Sequence, residues 1–186
     1  MRSAVLIVMA FILAGAPEVW AQRTADASVE VRAVNQGIFE CSLNVSIFHF
    51  GNVDSYGYDY GFPNVVALGR NATDDGGDYE NAPGSIVWTC RAAPVSSIDL
   101  SLTSAASDHL GSIAADHLEV RIPDTAGGTS TGYQAFTSGA SLITGVTAGN
   151  SANAASGDVD LHLRVYDTDL MGFSVWVVQL RASGNP

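Results

Sequence analysis

The chain contains no lysine: all its basic residues are arginine, eight against nineteen Asp and Glu, for a net charge of −11 over 186 residues. An acidic chain of this kind repels a phosphate backbone, which makes nucleic acid a poor candidate partner. Cysteine is almost absent, at two residues, too few for a thiolate metal cluster. Charged side chains make up only 15% of the chain, a composition that argues against disorder for most of it. No apolar run reaches the roughly 20 residues that a membrane-spanning helix needs. Past the first residues no segment sustains a helical period for long; the best helix candidate, Ser107 to Ala115, is short and contains Gly111. The chain lacks a G-x-S-x-G nucleophile elbow, and its histidines, His49, His109, His117 and His162, lack metal-binding spacing. His162 falls on the polar face of an alternating segment, where exposure is the default. Nothing singles out a paired-carboxylate glycosidase site. A non-catalytic protein without a cofactor is expected.

What is present begins with a leader. Arg2 precedes the apolar run Ala4 to Ala14, and Val19-Trp20-Ala21 places a small residue before Gln22. That order predicts a secretory signal peptide over 1–21, followed by a single exported domain over 22–186. In an exported chain Cys41 and Cys90 read as a disulfide. Closing a loop of that size stabilises by roughly 4 kcal/mol in the chain-entropy model.

Alternation with period two recurs along the mature chain and predicts strands with one buried face. The alternating sets are Ala27-Val29-Val31-Ala33, Cys41-Leu43-Val45-Ile47, Ile86-Trp88-Cys90, Ile98-Leu100-Leu102, Leu118-Val120-Ile122 and Val159-Leu161-Leu163-Val165. A last strand, Phe173 to Leu180, is apolar on both faces, which predicts a central position or a covered outer face. Asp167 to Gly172 reads as the hairpin before it. The expectation is an all-β, immunoglobulin-like antiparallel sandwich with one disulfide and two long loops, at 51–84 and 124–157.

Two clusters in the first loop are candidate sites. Tyr56, Tyr58 and Tyr60 alternate with Gly57 and Asp59, and would line one face of an extended chain as a stacking surface for a sugar or a partner. Asp74, Asp75, Asp78 and Glu80 crowd hard oxygen ligands together without the ligand order of an EF-hand; a solvated acidic turn is the expectation, with Ca²⁺ the alternative. Asn44-Val45-Ser46 and Asn71-Ala72-Thr73 fit the N-glycosylation pattern.

Phe50-Gly51-Asn52-Val53 shortly after the first Cys, Val87-Trp88-Thr89-Cys90 at the second, the segment Ile98 to Leu102 and a closing strand after Gly172 together resemble the bacterial pilin-like sandwiches typified by the spore coat protein U family. The resemblance implies that the two Cys join neighbouring strands and that the protein is an exported structural component of a cell surface. It also implies a segment, here Val29 and Val31 within 27–33, that completes its own sheet or a neighbour's. The expected function is therefore a secreted structural or adhesive subunit that associates with itself or with another surface protein. The alternative is a small binding module for carbohydrate or another surface ligand, using the tyrosines and the acidic loop.

Overall fold

The computed structural model describes residues 23–26, 38–73, 75–149 and 153–186. The leader 1–21, the segment 27–33 with Val29 and Val31, and Asp74 lie outside the described residues. Over the described residues the chain is all-β, and the strands pair antiparallel. In chain order they are β1 (Arg23–Asp26), β2 (Ile38–Leu43), β3 (Val65–Asn71), β4 (Gly76–Asn81), β5 (Val87–Ala93), β6 (Ser97–Leu102), β7 (His109–Gly111) and β8 (Leu118–Arg121). There follow β9 (Thr129–Ser130), β10 (Gln134–Ala135), β11 (Ser141–Thr147), β12 (Ala155–Asp158), β13 (Asp160–Tyr166), β14 (Ser174–Trp176) and β15 (Leu180–Asn185). The sheets run in the orders β1-β15-β6-β11-β9, β10-β8-β13-β4-β3, β12-β5-β2 and β14-β7.

Period-two alternation places the core. Ile98, Leu100 and Leu102 of β6, Leu118 and Val120 of β8, and Leu161, Leu163 and Val165 of β13 are all buried, as their spacing predicts. They meet Trp88 and Cys90 of β5 in one apolar cluster that draws on both five-stranded sheets and the three-stranded one. Cys41 and Cys90 lie directly opposite each other on β2 and β5 and are bonded, with Cys90 wholly buried. No helix among the described residues is long and apolar enough to cross a membrane.

Several expectations need correction. The two long loops are largely sheet: 51–84 contains β3 and β4, and 124–157 contains β9 to β12. β4 reads as a loop because it opens on two glycines and carries Asp78. Gly77 is there because a Cβ would run into the backbone of Asp54 and Gly57, and Asp78 is buried but held by partners from other strands. β2 ends at Leu43, so Ile47 leaves the core face and is exposed. The helix expected over 107–115 is a 3-10 turn (Ala106–Asp108), the short strand β7 and the start of a second turn (Ala115–His117). At Gly111 the backbone has positive φ, and a Cβ there would strike Ser174.

Asp167 to Gly172 does not close a hairpin. Both edges of β13 are already taken by β4 and β8, so the chain after Tyr166 crosses to other sheets. The segment Phe173 to Leu180 is likewise divided: β14 pairs with β7 and β15 pairs with β6 and β1.

Candidate functional site

The segment that follows β13 carries the largest apolar exposure. Along 173–178 the side chains alternate: Phe173, Val175 and Val177 are exposed, while Ser174, Trp176 and Val178 turn toward the body. The inward side is well held. Trp176 packs against His109 and donates its indole N–H to the Ala115 carbonyl at 3.2 Å. Ser174 Oγ accepts the backbone N–H groups of Ser112 and Ile113, each at 2.9 Å. The outward side has no such cover. Leu110, directly opposite Val175, is 77% exposed, Phe173 is 78% exposed and Met171 is fully exposed, with Leu170 beside them at 75%. The sequence pattern had pointed to a covered outer face; within this chain it is bare.

The strand edge beside that face is also open. Val177 N–H donates to the Asp108 carbonyl and Thr103 N–H donates to the Gln179 carbonyl, both at 2.8 Å. In an antiparallel ladder bonded and non-bonded pairs alternate, so Trp176 and Val178 direct their backbone groups to the opposite edge. On that opposite edge β1 covers β15 from Arg181 to Gly184. From Leu180 back to Ser174 no strand among the described residues pairs there.

The predicted tyrosine cluster is brought together. Tyr56 and Tyr58 stack with centroids 5.7 Å apart and 14° between planes, and all three tyrosines are about half exposed. Asp54, which sequence reasoning missed, organises them. Its Oδ1 accepts the amides of Tyr56 and Tyr58 and the hydroxyl of the buried Tyr79, and its Oδ2 accepts the Tyr60 hydroxyl. An Asp two residues before the first tyrosine, in reach of its own following amides, was the available signal. Arg70 lies over the Tyr56 ring at 4.9 Å and donates to Asp167 at 2.9 Å. Beside Tyr58 and Tyr60 lies only a shallow dip of about 170 Å³ open to solvent, below the 300–1,000 Å³ usual for small-molecule pockets.

Burial pushes the Asp54 carboxyl up, but the hydrogen bonds from Tyr60, Tyr58, Tyr79 and Tyr56 outweigh it and hold the group below its ordinary value of 3.8. A depressed carboxylate contributes stability that is present above the unfolded value and lost as pH falls through the folded one. Near-UV circular dichroism from the Tyr56–Tyr58 stack should therefore persist to pH 4 and fade below it, and Asp54→Asn should remove that pH dependence. A fade that survives in Asp54→Asn would assign it to another carboxylate.

The acidic residues do not form a common ligand set. Asp75 is exposed and lies 3.4 Å from Arg70. Asp78 accepts from Arg164 at 2.9 Å and from Asn71 at 3.3 Å, and Glu80 accepts the Tyr133 hydroxyl at 2.9 Å. Among the described residues no group of His, Cys, Asp and Glu is arranged to hold a metal ion. His162 is not on an open surface: its ring is largely buried, with Nδ1 at 3.0 Å from Glu119 and Nε2 at 3.5 Å from Asp78. Its neighbours on β4 and β8 enclose it because β13 is central in its sheet. The carboxylates of this face are thus spent on cross-strand partners. Of the two sequons, Asn44 uses its side chain to accept Val87 N–H at 2.7 Å, and Asn71 accepts Thr73 N–H at 2.9 Å.

Comparison with known proteins finds no matching family model, curated protein or solved structure.

Proposed function

We propose that this chain is an exported, non-catalytic structural or adhesive component of a cell surface or extracellular layer, and that it works by association through the apolar outer face of residues 170–177. One observation carries the reading: Leu110, Leu170, Met171, Phe173, Val175 and Val177 are bare together. Their exposed surface is on the order of 700 Å², beyond the roughly 300–600 Å² of the largest apolar patch on a typical monomer. Left in water, such a face favours self-association or a partner. The leader over 1–21 and the Cys41–Cys90 bond support export to an oxidising compartment. The sandwich architecture and the likeness to pilin-like spore coat subunits belong to the same reading, since those proteins associate through their sheets.

The test is expression of the full chain in a host with a periplasm. The chain should be cut before Gln22 and should sediment with the surface or self-associated fraction. Phe173→Asp combined with Val177→Asp should move it to the soluble fraction with an unchanged melting curve, because both side chains already face water in the isolated chain. Equal sedimentation of wild type and variant would contradict the reading.

A further inference from the structure

Resting on that reading, we propose that the partner at this face is a second copy of the same chain, joined edge to edge across a two-fold axis that passes beside Val177.

The open edge sets the geometry. β14 and β15 lie on one strand line, and the irregularity between them is on its other side, where the 3-10 turn Ala106–Asp108 interrupts β6 and β7. The edge facing away from β6 and β7 therefore runs without a break, and it is bare from Ser174 to Leu180, where β1 begins to cover it opposite Arg181. Val177 is the middle residue of that bare stretch. An antiparallel copy of the same stretch fits it with each Ser174 opposite the other copy's Leu180, and each Trp176 opposite Val178. The residues that meet as bonded pairs are Trp176 and Val178, the two whose backbone groups the ladder leaves pointing outward. Beyond either end the fit stops by itself, because β1 occupies the edge.

Composition and charge agree with a like partner. Residues 170–180 contain no charged side chain, so two strongly acidic chains can meet here without opposing carboxylates. Pairing puts Val175 and Val177 of both copies into one stripe and brings Phe173 beside Arg181 of the other copy. The bare apolar area on each copy, on the order of 700 Å², is close to the roughly 800 Å² that each partner gives to a standard interface. The resulting contact is isologous and closes as a dimer, unlike head-to-tail lending of a strand.

Val177 gives a sharp test. At the axis the two Val177 residues form a non-bonded antiparallel pair, with Cα atoms roughly 4.5 Å apart, within the range a disulfide spans. The chain's own Cys41–Cys90 bond joins a directly opposed antiparallel pair at 4.2 Å. Val177→Cys should form a covalent dimer on mild oxidation roughly tenfold faster than Val175→Cys or Leu110→Cys, with the 177–177 peptide found beside an intact Cys41–Cys90. In the wild type, hydrogen exchange at the Trp176 and Val178 amides should slow as protein concentration rises.

Equal cross-linking at all three positions would overturn the two-fold pairing. So would fast exchange at every concentration. Slow exchange that ignores concentration would give the edge to the chain's own segment instead, and also overturn the proposal. Wild type that associates without cross-linking at 177 would leave the assembly reading standing, whereas wild type that never associates would remove both.

Discussion

Replacing Cys41 and Cys90 together by serine is expected to lower stability by about 4 kcal/mol, from the loop-closure entropy that the cross-link removes from the unfolded chain. The two residues are 49 apart in sequence. The loss should be felt first at β2, which is the edge of its sheet and is held there by β5 alone. Urea unfolding of the double variant against the oxidised wild type measures it, and a difference below about 1 kcal/mol would show that β2 is held by packing rather than by the bond. Reduction of the wild type should reproduce the variant.

The second large effect lies two residues away. Trp88 is 2% exposed, and a Cβ at Gly157, which faces it across β12 and β5, would crowd its indole nitrogen and Thr125. Trp88→Ala is expected to cost about 3–5 kcal/mol, since a cavity of that size in a sheet core does not collapse. Trp88→Phe should cost much less. The indole N–H is buried and has no hydrogen-bond partner, so losing it removes no bond and relieves a polar group left unpaired. Equal losses for the two variants would place a bound water or an unseen acceptor at the indole nitrogen. Thermal or urea unfolding of the pair decides it.

Strand and core were legible wherever one face of a strand is buried by its own chain. The alternations at 98–102, 118–122 and 159–165 became β6, β8 and β13 with the predicted residues inside. The Cys41–Cys90 bond was legible because both residues fall in phase with apolar neighbours. β4 was not legible, because the features that make it a strand are distant in sequence: the backbone near Asp54 that needs Gly77 bare, and the Arg164 and Asn71 groups that accommodate Asp78. The tyrosine cluster could be read because its organiser, Asp54, is local. The face at 170–177 could be half read. Apolar residues on both sides of Phe173 to Leu180 announce a covered strand, but a sequence does not distinguish cover by the same chain from cover by another.

That last distinction is the centre of the account, and light scattering after size-exclusion chromatography tests it most directly. Oxidised wild type, cut before Gln22, should show a weight-average mass that rises with concentration toward an associated species. The Phe173→Asp, Val177→Asp variant should hold the monomer mass over the same range with the same melting temperature. A wild type that keeps the monomer mass at every concentration, indistinguishable from the variant, would contradict the claim that this face is where the protein associates.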